Sequence, residues 1–126
     1  MRVVLDSAFV IDVLAGVPEA AGRQRRLFED GDEPLVNEIV VCEVRAGLRD
    51  VDVDEFETLL EPIEFIQPGP ESAMLAGRWR RDAHERGHNL SLPDALIAAD
   101  AHGTDAAVLT RNVRDFALTP VRLETY

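Results

Sequence analysis

The sequence predicts an α/β fold, a three-layer α/β/α domain with a mainly parallel central sheet. Three observations lead there. Short apolar runs of strand length alternate with longer runs of helical period, and strands joined by helical crossovers lie parallel. Glycine or proline marks several of the boundaries between such runs, as at Gly16, Pro18, Gly31, Gly87 and Gly103. The chain has 126 residues, 46% of them hydrophobic, which suits one core and a single domain over residues 1–126.

Arg2–Asp6 (RVVLD) reads as a buried strand ending in a carboxylate. Ser7–Ala15 reads as a helix stopped by Gly16, and Pro18 opens the helix Glu19–Asp30 ahead of Gly31. Pro34–Asn37 is a brief second strand, Glu38–Arg49 an apolar helix and Asp54–Leu60 a short one. Glu61–Gln67 alternates as a strand does, and Glu71–Arg86 is a long amphipathic helix closed by Gly87. Leu92–His102 is an apolar helix stopped by Gly103, Ala106–Thr110 a buried strand, and Val121–Thr125 an edge strand. In parallel sheets ligands bind beyond the carboxyl ends of the strands, at a topological switch point. Asp6 and the segment Thr110-Arg111-Asn112 follow two such ends, so polar groups from both ends of the chain aim at one crevice.

Composition removes several chemistries. The 13 basic residues are all arginine and face 24 acidic ones, for a net charge of −11. Without lysine there is no Walker A loop and no Schiff-base catalyst. The response-regulator receivers and haloacid-dehalogenase phosphatases, which also open on a strand ending in aspartate, lose weight for the same reason. The lone Cys42 excludes an intramolecular disulfide and a cysteine-built zinc site. No run approaches the ~20 apolar residues that cross a bilayer, and Met1–Asp6 is charged too early for a signal peptide. A cytoplasmic protein with no membrane association is the expectation. The acid-rich surface fits either adaptation to molar salt or a GC-rich codon bias. It argues against passive tracking of a nucleic-acid backbone, but not against a site where divalent cations reverse the local field.

Acids at positions 6, 43, 94 and 115 are spaced along nearly the whole chain, and three of them abut apolar runs expected to pack together. Glu43 shares a helical face with Ile39, Val40, Ala46 and Gly47, and a lone acid in an apolar stripe is paired or bound to metal. An ion pair with Arg45, Arg49 or a distant arginine is the competing reading. Asp94 completes the capping pattern Ser91-Leu92-Pro93-Asp94, and a capping carboxylate still has an oxygen for a cation. Asp6 can cap the helix that follows it. Asn112 and Asp115 can form a turn leading into Phe116. Asp12 and Asp100 are expected to face solvent, Asp100 lying about 600° around its helix from Asp94. Like charges converging near a core repel unless protons or cations intervene, and an all-oxygen donor set selects Mg²⁺ or Mn²⁺.

In this order and spacing, Val4-Leu5-Asp6-Ser7, Val41-Cys42-Glu43-Val44-Arg45-Ala46-Gly47-Leu48, Leu92-Pro93-Asp94-Ala95 and Val108–Phe116 resemble the motifs of PIN-domain proteins, and among them the VapC toxins of toxin–antitoxin modules. The resemblance runs nearly end to end. It implies a metal-dependent endoribonuclease in which Asp6, Glu43, Asp94 and Asp115, or Asn112 in the last place, hold Mg²⁺ (or Mn²⁺). The cation lowers the pKa of a water that attacks the phosphodiester in line, leaving a 5′-phosphate and a 3′-hydroxyl. Ser7 and Thr110 are candidates to orient the carboxylates, and Arg111 to contact substrate phosphate. The chain departs from the pattern at Ala8, where asparagine or serine often follows, and at Asn112, which many relatives fill with aspartate. The family also implies a homodimer neutralised by an antitoxin that sets a basic side chain in the acidic groove. A PIN nuclease of RNA maturation and a catalytically inactive PIN scaffold are the alternatives. Of the basic clusters, Arg23–Arg26 reads as a solvated helix face. Arg78–Arg81, with Trp79, reads as an RNA path or as a solvated helix face with Trp79 in the core or at an oligomer contact. The three histidines, His84, His88 and His102, show no catalytic arrangement.

Overall fold

The computed structural model describes residues 1–126. Five parallel strands form one sheet: β1 (Arg2–Leu5), β2 (Glu33–Asn37), β3 (Glu64–Ile66), β4 (Ala107–Leu109) and β5 (Leu123–Glu124), in the order β3-β2-β1-β4-β5. β1 pairs with β2 from Arg2 opposite Glu33 to Val4 opposite Leu35, and with β4 from Val3 opposite Ala107 to Leu5 opposite Leu109. The chain thus builds outward from β1 to one side, then returns to build β4 and β5 on the other. β1 is the switch point, and the crevice opens where β1 and β4 end.

Seven helices make the crossovers: α1 (Ser7–Leu14), α2 (Pro18–Glu29), α3 (Glu38–Gly47), α4 (Val53–Leu60), α5 (Pro70–Glu85), α6 (Leu92–Gly103) and α7 (Val113–Phe116). A 3₁₀ turn at Asp50–Asp52 joins α3 to α4. Val3, Val4, Leu35, Val108 and Leu109 are wholly buried, as strands covered on both faces require. The alanines of α6 (Ala95, Ala98, Ala99 and Ala101) are also fully buried, and their small side chains let the helix lie close against its neighbours. Of the expected apolar face of α3, Val40 is buried and Ile39 half-buried, but Ala46 and Gly47 lie exposed, leaving Glu43 at the boundary rather than inside. The third strand is shorter than its alternating pattern, because Glu61–Ile63 is spent in the turn after α4. A single helical turn, α7, stands where only a turn was expected.

Two solvent assignments prove wrong. Asp12 is 5% exposed: Arg111 Nη1 donates to both its oxygens at 2.8 and 2.9 Å, and the Tyr126 hydroxyl to Oδ2 at 2.7 Å. Asp100 is half-buried and accepts from Asn37 Nδ2 at 2.8 Å and Ser72 Oγ at 2.7 Å. These partners lie 28 to 114 residues away along the chain, so helical periodicity alone carries no trace of them. Trp79 is buried and meets His102 edge to face at 5.6 Å, which settles its place in the core and removes it as a stacking platform. Arg23, expected on a solvated face, is buried beside Asp32 at 3.8 Å.

The end of α6 holds local strain. Gly103 stays inside the helix, and the residue that adopts the left-handed conformation is Asp105, at φ 53°. Its N–H donates to the His102 carbonyl at 3.2 Å while the Ala106 N–H reaches Ala101 at 2.8 Å, the two bonds of a Schellman cap. A side chain in that region costs about 1–2 kcal/mol, and glycine forfeits roughly 0.5–1 kcal/mol of this through its freer unfolded chain. Asp105→Gly is therefore expected to raise stability by about 0.5–1 kcal/mol, read as a higher midpoint in urea unfolding. An unchanged or lower midpoint contradicts the strain.

Candidate active site

Asp6 is the first residue beyond β1, 1% exposed, and caps α1. Its backbone N–H donates to the Leu109 carbonyl at 3.0 Å, continuing the β1–β4 ladder to the sheet's edge. Its Oδ1 accepts from the Ser7 N–H at 2.9 Å and its Oδ2 from the Thr110 hydroxyl at 2.7 Å. Thr110 is fully buried and its oxygen accepts from the Asn112 N–H at 2.8 Å, which leaves its one proton for Asp6. Burial is the main cause raising the Asp6 pKa; the Glu43 charge adds to it, and the Thr110 and Ser7 bonds only partly offset it.

Glu43 has no arginine partner. Arg45 pairs with Asp50 at 2.9 Å and Arg49 with Asp52 at 2.8 Å, both on the surface. Glu43 Oε1 instead accepts from the Ser7 hydroxyl at 2.9 Å. Ser7 lies only 3.5 Å from Asp6 through the same oxygen, and a hydroxyl has one proton, so the bond to Glu43 is the one made. Ser7 thus stands between two carboxylates, bound to one through its amide and to the other through its hydroxyl.

Asp94 sits in the first turn of α6, where its N–H donates to the Ser91 hydroxyl at 3.2 Å. The Ser91 half of the expected capping box is present, while the Asp94 carboxylate, half-buried, accepts from no backbone N–H. Burial raises its pKa, the Ser91 hydroxyl lowers it, and the charges of Asp6 and Asp115 raise it further. Asp115 and Asn112 are exposed on the β4–α7 side. Neither side chain takes part in a hydrogen bond within the protein, and Phe116, wholly buried, anchors their segment. Arg111 has a structural tie beside its candidate role. Its Nη1 is committed to Asp12, and Tyr126, which shares Asp12, packs edge-on to Phe9 at 4.9 Å. Sequence reading missed this cluster because its only local signal is an aspartate on an otherwise apolar helix.

Asp6, Glu43, Asp94 and Asp115 therefore press on one another's charge from four different elements. No three acidic, histidine or cysteine side chains stand close enough to grip an ion as they are. The donor chemistry nonetheless suits a hard divalent cation. Every oxygen is a carboxylate's, each Asp6 oxygen keeps an unused lone pair, and mutual repulsion is the kind a cation relieves. A carboxyl whose pKa folding raises favours the folded state most below its ordinary pKa of about 3.9. That contribution is lost as pH rises through the raised value. Asp6→Asn removes the ionisation but sets an amide NH2 against one of the two donors that Asp6 accepts from, so the pH dependence is the readout: in metal-free buffer the wild type is expected to lose melting temperature relative to the variant between about pH 4 and neutral pH. Thermal unfolding of both proteins across that range checks this; a difference between them that does not change with pH contradicts it.

Known proteins resemble this chain in sequence and fold. The family model of the PIN domain matches residues 3–120. Ribonuclease VapC19 of Mycobacterium tuberculosis is 31% identical over 116 residues, covering 92% of this chain and 93% of its own. Among solved structures, VapBC2 from Rickettsia felis bound to a DNA fragment from its promoter superposes with a TM-score of 0.87 at 20% identity, over 100% of this chain and 99% of that one. A toxin–antitoxin complex from Klebsiella pneumoniae gives 0.76 at 25% identity, over 94% and 92%. With an all-parallel sheet switching at β1, an acid at the end of that strand and a family model that spans nearly its whole length, the chain belongs to the PIN domain family.

Proposed function

We propose that this chain is the endoribonuclease toxin of a VapBC-type pair and that it hydrolyses RNA phosphodiester bonds with Mg²⁺ or Mn²⁺. The observation that carries the reading is Asp6, buried at the switch point, held by Thr110 and Ser7 and strained by neighbouring acids. The likeness to Ribonuclease VapC19 supports the choice of RNA as substrate. Asp6, Glu43 and Asp94 would hold the cation, with Asp115 or Asn112 as the further ligand. When bound, the ion supplies charge that acidifies a water nucleophile and stabilises the attacked phosphoryl group.

The chain's own groups do the rest. Thr110 and the Ser7 amide fix the direction of the Asp6 carboxylate, and the Ser7 hydroxyl fixes that of Glu43. Burial of Asp6 excludes water from behind the site, so its charge is spent on whatever enters the crevice. Asp94, at the start of α6, faces the same charge. Cleavage in line leaves a 5′-phosphate and a 3′-hydroxyl.

Two protein partners follow. A homodimer is part of the reading. So is an antitoxin, which the toxin–antitoxin complexes among the structural relatives support. At −11 the chain attracts a basic partner segment. We place the protein in the cytoplasm, where its RNA substrate is.

Purified protein is expected to cleave single-stranded RNA with Mg²⁺ or Mn²⁺, to stop in EDTA, and to lose the activity in Asp6→Asn and in Asp94→Asn. Thr110→Val, which keeps the volume but removes the hydrogen bond, is expected to weaken cation affinity or activity about 10- to 100-fold. Cleavage that survives Asp6→Asn contradicts the site. A folded protein that neither cleaves RNA nor is stabilised by either cation points to the inactive scaffold instead.

A further inference from the structure

Beside the four acids lies a second feature of opposite character. A cavity of about 340 Å³ opens between the α5–α6 connection and α7, lined by His88, Asn89, Arg114, Asp115 and Leu118. Its volume lies at the lower end of the ~300–1,000 Å³ range of small-ligand clefts. Asp115, one of the four acids, belongs to this wall, so the cavity borders the acid site through that residue.

The walls are built rather than incidental. Gly87, at φ 81°, ends α5 in a Schellman cap: its N–H donates to the His84 carbonyl at 3.0 Å and the His88 N–H to Ala83 at 2.9 Å. Arg80 Nε donates to the Leu90 carbonyl at 3.0 Å, and Leu90 is buried. His88 and Asn89 are thereby held between two anchored points with their side chains exposed. Across the cavity, the buried Phe116 and the bond from the Thr119 hydroxyl to the Phe116 carbonyl at 2.7 Å fix α7.

Arg114 is the cation in this wall. It is exposed and makes no ion pair or side-chain hydrogen bond, although acids outnumber bases 24 to 13 in the chain. Arg111, three residues earlier, is tied to Asp12. An unpaired guanidinium next to a carboxylate site in so acidic a chain matches a phosphate supplied from outside. The Asn89 amide offers both donor and acceptor, and Leu118 an apolar surface.

We propose that this cavity seats the nucleotide next to the cleaved phosphodiester, with Arg114 on its phosphate and His88, Asn89 and Leu118 around its sugar and base. The proposal rests on the endoribonuclease reading and deepens it. Arg114 is a substrate-binding residue here, in the place the sequence suggested for Arg111.

Binding without cleavage tests it. Affinities of fluorescent oligouridine and oligoadenine decamers are measured by anisotropy over a range of salt in Mg²⁺, with Asp6→Asn as the common background. Adding Arg114→Gln is expected to weaken binding several-fold, by the same factor for both sequences, because a phosphate contact carries no base information. It also flattens the slope of log affinity against log salt by about 0.7, the value for one phosphate contact on a single strand. Asn89→Ala is expected to weaken binding with the slope unchanged. Arg78→Gln, exposed and away from the cavity, changes neither. An unchanged slope in Arg114→Gln, with an unchanged melting temperature showing that it folds, overturns the subsite. An equal loss in Arg78→Gln overturns it too. If the wild type cleaves RNA and the background binds it while Arg114 has no effect, only the subsite falls; if the background binds no RNA and the wild type cleaves none, the endoribonuclease reading falls with it.

Discussion

The hydrogen bond from the Thr110 hydroxyl to Asp6 Oδ2, at 2.7 Å, joins residues 104 positions apart and ties the two halves of the sheet at the point where their order reverses. It exists because β1 and β4 pair directly and end together, Leu5 opposite Leu109, so the next residue of each strand meets the other. One of those residues is an almost fully buried acid. Burying a carboxylate is costly unless it is bonded or neutralised, and here the bonding is partial, because burial still outweighs the hydrogen bonds in setting its pKa. The residual cost is concentrated in one group, and Glu43 and Asp94 are arranged around that group.

Several arginines serve the fold. Arg111 neutralises the buried Asp12, Arg23 lies by Asp32, and Arg80 and Arg86 bond to backbone carbonyls. None of these reaches the acids at the β1–β4 edge. Leaving those acids without arginine partners costs stability that an ion pair would have restored, as is common where a function needs unneutralised charge. Asp12 shows the contrast: an acid of similar burial in the same helix region that does receive a guanidinium and a phenol, and whose neighbourhood is thereby closed.

Much of the fold was legible because its strands are short, apolar and fully covered. Val3-Val4-Leu5 and Ala107-Val108-Leu109 cannot be read as amphipathic, and helical runs between them force parallel pairing. The strand order was not legible, since nothing local tells β4 to lie beside β1 rather than beyond β3. The acids Asp6, Glu43 and Asp94 were legible for a different reason: each interrupts an apolar pattern. Asp12 and Asp100 were misread as surface residues because the groups that satisfy them, Arg111, Tyr126, Asn37 and Ser72, are distant in sequence. Arg114 gave no local signal at all, being a charged residue on a single exposed turn. Its significance lies in its place beside Asp115 in the cavity wall.

The central claim is that acids from four separate elements share one cation at the end of β1. Anomalous diffraction from a crystal soaked in Mn²⁺ tests it directly. The account predicts a single strong peak about 2.1 Å from an Asp6 oxygen and from oxygens of Glu43 or Asp94, with those side chains drawn inward. A peak elsewhere, or none at saturating Mn²⁺ with the three carboxylates left apart, contradicts it.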